Sequence, residues 1–332
     1  MNLIYKSGLV FIVLASLSVI AETDDCVMQY YESGDEKLTL YDIRKLCEPE
    51  NIEHIEKSLP INKGVISQRV IKESRTEFEP YVITPHKINY FLPVISTNSI
   101  NKNAYKTYDG YENNLEDIEA KFQLSLKVPL NNRSMFIEGD GLYLGMTLQA
   151  WWQLYADNIS KPFRETNYKP EVFYLAPLAW KPFGGNTGFI VGLEHQSNGR
   201  AQNLSRSWNR IFGHFLFEKE NFALSFRPWY RLKEDDKEYE LDPDGDDNPD
   251  ISDFMGHHEL GMVYKWDNLQ FSFINRRNFS THKGAVEFGM TFPLWGKLKG
   301  YASAFNGYGE SLIDYNYSQT RLAIGIALND IF

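Results

Sequence analysis

The chain has 332 residues, 15% of them aromatic (20 Tyr, 22 Phe and 7 Trp), and a formal net charge of −10. The net charge argues against nucleic acid as the partner, because no basic stripe is present to neutralise phosphates. Beyond the extreme N-terminus no uncharged run reaches the roughly 18 residues of a membrane helix, which leaves an aromatic-rich membrane β-barrel or a large soluble sandwich.

Residues 1–21 read as a secretory signal, with Lys6 in the positive region, Leu9 to Leu17 as the apolar stretch and Val19-Ile20-Ala21 before cleavage. Thr23-Asp24-Asp25 ahead of Cys26 does not resemble a lipoprotein site, so no N-terminal lipid is expected. Cys26 and Cys47 are both early in the mature chain, and an oxidising compartment would let them pair; two free thiols are the alternative. Residues 22–85 are charged and lack alternation, with one short helix expected around Leu40 to Leu46. This segment reads as a periplasmic extension covering one barrel end or as a disordered leader.

From residue 86 to 332 period-two alternation recurs. Ala120, Phe122, Leu124, Leu126 and Val128 alternate with Lys121, Gln123, Ser125 and Lys127. Val286 to Phe292 and Leu322 to Leu328 follow the same rule, and such segments number about twelve. Tight turns are expected near Phe183 to Asn186, Lys219 to Asn221, Trp266 to Asn268 and Leu294 to Lys297. Long polar connections fall near Asn98 to Glu116, Tyr155 to Asn167, Ser197 to Arg206, Lys233 to Asp253 and Tyr308 to Tyr315. Loops sorted by length to opposite ends, with Phe332 closing a final alternating strand, predict an all-β, transmembrane antiparallel β-barrel.

The chemistry concentrates in Gly192-Leu193-Glu194-His195-Gln196-Ser197-Asn198-Gly199-Arg200 and Ser205-Arg206-Ser207-Trp208-Asn209-Arg210. On an extended strand, His195 and Ser197 leave the same face, in step with Leu193, Val191 and Phe189. On the following strand Asn209 is in step with Ile211, Gly213, Phe215 and Phe217, and a loop of about ten residues returns it beside His195. A His-x-Ser pair alone arises often by chance. On a lipid-facing strand, however, an unpaired polar side chain costs on the order of a kcal/mol or more, so polar groups there need a reason. A Ser-His-Asn set gives one, with Ser197 as nucleophile, His195 as general base and Asn209 holding the imidazole tautomer.

These two stretches resemble the active-site signature of the outer-membrane phospholipase A family. Pro162-Phe163-Arg164-Glu165-Thr166-Asn167-Tyr168, Asp247-Asn248-Pro249-Asp250-Ile251 and Gly307-Tyr308-Gly309-Glu310-Ser311-Leu312-Ile313-Asp314-Tyr315-Asn316 are similar to its loop motifs, and the likeness runs from about Tyr90 to Phe332. The resemblance implies a calcium-dependent outer-membrane enzyme that hydrolyses acyl esters of membrane phospholipids and works as a homodimer. It assigns Ser197, His195 and Asn209 the catalytic roles and the Gly199 amide the oxyanion. Calcium is expected at oxygens of Arg200 and Ser205, with the region of Ser160 reaching in from a second chain.

Two positions depart from the family pattern. Gln202 stands where the family has an acidic residue, which removes a carboxylate from a monomer-type calcium site although Asp247 is kept. Leu148 replaces a polar residue often found on the lipid-facing contact surface. The acidic run Asp242-Pro243-Asp244-Gly245-Asp246-Asp247 fails the EF-hand pattern, because its glycine is fourth instead of sixth and position twelve is Asp253. It reads instead as an acidic outer loop. A passive porin or a structural barrel is the competing expectation, and the bulky inward residues Trp208, Arg210, Phe212 and His214 argue against an open channel.

Overall fold

The computed structural model describes residues 64–331 apart from 80, 81, 108, 109, 240, 241, 243, 244 and 297. The secretory signal, most of the extension with its expected helix, both cysteines and Phe332 lie outside the described residues.

Twelve antiparallel strands close into a barrel: β2 (Tyr90–Thr97), β3 (Ile118–Pro129), β4 (Gly141–Trp152), β5 (Phe163–Leu178), β6 (Asn186–Ser197), β7 (Ser207–Lys219), β8 (Phe222–Leu232), β9 (His258–Trp266), β10 (Leu269–Arg277), β11 (Gly284–Pro293), β12 (Lys299–Tyr308) and β13 (Ser318–Ala327). Each pairs with its neighbours in sequence, and β2 pairs with β13 to close the ring. A further two-residue strand, β1 (Thr84–Pro85), adds to the lower edge of β3 at Lys127 and Leu126.

The alternation sorts side chains as the sequence predicts. On β3, Leu124, Leu126 and Val128 are exposed while Glu119, Lys121, Gln123 and Ser125 are buried inside. On β13, Leu322 and Ile324 face out and Gln319 and Arg321 face in. A wall that is greasy outside and polar inside is stable only against lipid, where the hydrocarbon solvates the outer face and the closed ladder leaves no backbone group unpaired. Trp180, Phe183, Trp266 and Trp295 project from the short-turn end, the level of a lipid interface.

The connections at that end include the expected two-residue turns at Glu220-Asn221 and Asp267-Asn268. Two connections differ: where a tight turn is expected near Phe183 to Asn186, residues 179–185 form a longer connection with a single 3-10 turn at Pro182–Gly184 and Asn186 already begins β6, and residues 130–140, between β3 and β4, form a long loop on the short-turn side. The Asp140 carboxylate explains its order, accepting N–H bonds from Met135, Phe136 and Ile137 at 2.6, 2.7 and 2.9 Å and the Tyr174 hydroxyl at 2.6 Å.

The interior is filled at both ends. At the loop end, α3 (Ile251–Met255) and the turn carrying Leu312 and Tyr315 tuck against Phe173, Trp208, Phe212 and Trp229. Also at this end Arg164, itself wholly buried, makes two bonds of 2.9 Å to the Glu119 carboxylate and one of 3.0 Å to Asp314, and Arg321 shares Glu119. Another segment, α2 (Tyr111–Asn114), lies in the loop between β2 and β3. At the turn end α1 (Val65–Ser74) closes the mouth. Sequence alternation gave no sign of α1, since no strand period exists there and the residue that holds it is far away. The Glu218 carboxylate, at the lower end of β7, accepts the backbone N–H of Ile66 at 2.6 Å and of Ser67 at 3.1 Å, and also binds the Ser67 hydroxyl. This acceptor satisfies first-turn donors that Gly64, lacking a side chain, cannot cap. Between α1 and the upper plug remains a cavity of about 380 Å³, lined by Arg69, Glu73, Glu171, Arg210 and Glu259 among others.

Candidate active site on the outer wall

β6 and β7 build the site through their register. His195 pairs directly with Asn209, and Ser197 with Ser207. Glu194, Gln196 and Asn198 are buried inside, which sends His195 and Ser197 to the outer face beside exposed Val191 and Leu193. Asn209 is on that same face, in step with exposed Ile211 and Phe215. Its Oδ1 lies 2.8 Å from His195 Nδ1. Neutral imidazole bonded to a carbonyl oxygen through Nδ1 must carry its proton there, leaving Nε2 as a lone pair. Ser197 shares the face two residues along, at the last position of β6, and its hydroxyl takes no hydrogen bond among the described residues.

The loop after Ser197 is shaped by Asn198, which sequence reasoning passed over. Its Oδ1 accepts the N–H of Arg200 at 3.2 Å and of Arg206 at 3.0 Å, while its amide donates to Leu204 O at 2.7 Å. One inward side chain thus folds residues 198–206 back on themselves. Within that loop Gly199 has φ of 61°, in the left-handed region that favours glycine, and an added Cβ would lie 3.3 Å from the Tyr168 ring. Its N–H has no acceptor among the described residues. A second residue absent from the sequence reading is Glu234, whose Oε1 accepts the Asn209 amide at 2.9 Å. It follows β8 in a charged loop with no periodicity, so no sequence signal pointed to it.

The residues expected to hold a metal are brought together only in part. Ser205 Oγ donates to Asp247 Oδ2 at 2.5 Å, and Lys237 pairs with the other oxygen of Asp247 at 2.6 Å. The Arg200 guanidinium is occupied by the carbonyls of Phe163 and Arg164, both at 2.9 Å, so Arg200 can offer a cation only its own carbonyl oxygen. Ser160 sits in the loop between β4 and β5 with φ of 57°, and no hydrogen bond or ion pair joins it to Arg200 or Ser205 among the described residues. Among the described residues there is also no cluster of three or more His, Cys, Asp or Glu side chains suited to a metal. Hydroxyl and carbonyl oxygens nevertheless are the hard donors calcium prefers, and a set left incomplete within one chain fits a cation shared between two.

A closed membrane barrel with a hydrogen-bonded His-Asn pair and a serine on its lipid-facing wall presents the groups of a serine hydrolase where lipid would meet them. Residues 66–328 match the family model described as phospholipase A1. The phospholipase A1 of Klebsiella pneumoniae is 38% identical over 256 residues, covering 76% of this chain and 84% of that one. That of Escherichia coli K12 is 35% identical over 274 residues, covering 82% and 89%. The structure of the Salmonella typhi outer membrane phospholipase dimer with bound calcium superposes with a TM-score of 0.73 at 34% identity, covering 82% of this chain and all of that one. The outer membrane phospholipase A of Escherichia coli superposes at 0.70 with 36% identity, over 76% of this chain. The chain belongs to the phospholipase A1 family of outer-membrane β-barrel ester hydrolases.

Proposed function

We propose that this phospholipase cleaves acyl ester bonds of glycerophospholipids, in a calcium-dependent reaction, with Ser197, His195 and Asn209 as its catalytic set. The observation that carries the reading is the 2.8 Å contact of His195 Nδ1 with Asn209 Oδ1 on a face otherwise made of lipid-exposed apolar side chains. Against lipid that pair gains little from water and must be satisfied internally, and held in this tautomer His195 can take the Ser197 proton as the hydroxyl attacks the ester carbonyl. The protonated ring then returns the proton to the leaving alcohol, and water repeats the cycle on the acyl-serine. The free N–H of Gly199, two residues beyond the nucleophile, is suited to the oxyanion.

Calcium would be held by oxygens of Arg200 and Ser205 and by Ser160 of the partner subunit, and when bound would supply positive charge against the developing oxyanion. The calcium-bound dimer of the Salmonella typhi relative supports a homodimer here. Residues 1–21 are proposed as the secretory signal and 22–85 as a periplasmic extension ahead of the catalytic barrel, 86–332.

The deciding experiment is phospholipid hydrolysis by purified protein with calcium, with a chelator and with Ser197→Ala. Loss of turnover in the chelated and Ser197→Ala samples, with the barrel still folded by its heat-shifted gel mobility, is the expected result. Hydrolysis retained by Ser197→Ala removes that residue from the mechanism.

A further inference from the structure

Asparagine introduces an ambiguity that aspartate would not. Its carbonyl and amide ends have nearly the same shape, so Asn209 fits beside His195 in either orientation. With Oδ1 toward the ring, Nδ1 carries the proton and Nε2 is free to act as a base. With Nδ2 toward the ring, Nδ1 must accept, the proton resides on Nε2, and Ser197 has no base. Nothing in the His195-Asn209 pair itself selects the productive arrangement strongly.

We propose that Glu234 is a positioning residue that fixes the orientation of the Asn209 amide and, through it, the tautomer of His195. This rests on reading Ser197, His195 and Asn209 as the catalytic set. Glu234 Oε1 lies 2.9 Å from Asn209 Nδ2. An ionised carboxylate only accepts hydrogen bonds, so a flipped amide would set Oδ1 against it, acceptor to acceptor, while surrendering the bond it now makes. Both ends of Asn209 are therefore committed: Nδ2 to Glu234, Oδ1 to His195.

The surroundings leave the Glu234 carboxylate available for this task. Arg231 is bonded to Asp246 through both carboxylate oxygens at 2.6 and 2.7 Å, and Lys237 is paired with Asp247. No cation forms an ion pair with Glu234 among the described residues. Partial burial and the nearby Asp246 and Asp247 carboxylates raise its pKa above the ordinary carboxylate value, with Arg231 and the Asn209 bond acting against them. Protonated, Glu234 could donate to a flipped Oδ1 and would no longer discriminate. Glutamine at this position shares that indifference, since its amide presents either end.

The test uses the full chain in calcium-containing detergent micelles, comparing Glu234→Ala, Glu234→Gln, Asn209→Ala and the Glu234→Ala/Asn209→Ala double variant by kcat and KM. The His195 tautomer is followed by imidazole ¹⁵N shifts, assigned by their loss in His195→Gln. Glu234→Ala is expected to lower kcat about tenfold with KM unchanged, the loss vanishing in the Asn209→Ala background as for directly coupled neighbours. Glu234→Gln is expected between wild type and Glu234→Ala, and both should move His195 from the Nδ1-protonated toward the Nε2-protonated form. If Glu234→Ala does not fold, the shift in the isosteric Glu234→Gln decides. Wild-type kcat and tautomer in both variants, or an equal loss with and without Asn209, would overturn the proposal. Ser197→Ala in the same assay separates the two readings. Its retained activity means the catalytic set is wrong, whereas its inactivity beside a silent Glu234→Ala means only the positioning role is wrong.

Discussion

Arg164 joins three parts of the chain that are far apart in sequence: Glu119 on β3, Asp314 in the last outer loop and, through its backbone carbonyl, the Arg200 side chain in the loop after Ser197. Both carboxylates are buried, so removing the guanidinium leaves Asp314 without a cation and Glu119 with Arg321 alone. Arg164→Ala is expected to destabilise the barrel by about 3–5 kcal/mol, read as a lower urea midpoint for unfolding in micelles. A loss below about 1 kcal/mol would mean that Arg321 and solvent take over the pairing. At this scale the site was legible where strand geometry governs it. The two-residue step from His195 to Ser197 and the return of Asn209 followed from alternation and loop length. Asn198 and Glu234 were not legible, because one points inward beside the active pair and the other belongs to a loop whose partners only the fold brings near.

Among the elements, α1 depends most on a distant residue. Besides the Glu218 cap, it is held by Glu73, which pairs with Lys127 at 2.7 Å, and by Arg69, which bonds Pro85 O at 2.6 Å and His86 O at 3.0 Å. Glu218 lies about 150 residues beyond the helix it caps, so no local pattern could announce the pairing. Replacing Glu218 with Ala strands the amides of Ile66 and Ser67 and should cost the docked helix about 1–3 kcal/mol. Limited trypsin digestion should then cut at Arg69, Lys72 or Arg75 several-fold faster, while the membrane-embedded strands stay resistant. Unchanged cleavage would show that the Arg69 and Glu73 contacts suffice. The strands, by contrast, were readable from alternation, β3, β6, β7, β11 and β13 directly and the rest as a count of about twelve. The 130–140 loop escaped because Leu130, Met135, Phe136 and Ile137 make it look apolar, whereas its order comes from the single carboxylate of Asp140.

For the whole molecule, a calcium site shared between two chains, as proposed, would couple ion, substrate and partner. If Arg200 and Ser205 of one chain must meet Ser160 of the partner subunit, each chain alone offers part of a coordination sphere, and the three associations stabilise one another by linkage. Leu148 is on the outer wall of β4, paired across to Leu124 and Tyr168, with no polar group to add to the contact. Apolar packing in lipid gives little drive to associate, so dimerisation should depend strongly on calcium and substrate. Turnover is expected to rise faster than linearly with protein density in micelles, in parallel with chemical crosslinking and only with calcium present. Strictly linear activity from a species that never crosslinks would show that one chain suffices.

The seam between β2 and β13 sets the order of events when the barrel assembles. Every other barrel pairing joins strands adjacent in sequence and can zip up as a hairpin, but this one unites residues near 90 with residues near 325. Its contacts cannot form until the chain has bent through a full circle, so the loop entropy is lost before the bonds that compensate it exist. The seam is also irregular: its register slips between Ile324 and Ile326, as the adjoining β2–β3 pairing slips between Leu92 and Ile95, and Pro93 offers no N–H to the ladder. Closure should therefore be the slow step of insertion and opening there the first step of unfolding. Pulse-labelling of amides during refolding into vesicles should find β2 and β13 protected last, well after the β6–β7 hairpin that carries His195 and Asn209. Simultaneous protection around the ring would mean instead that the barrel closes before it zips.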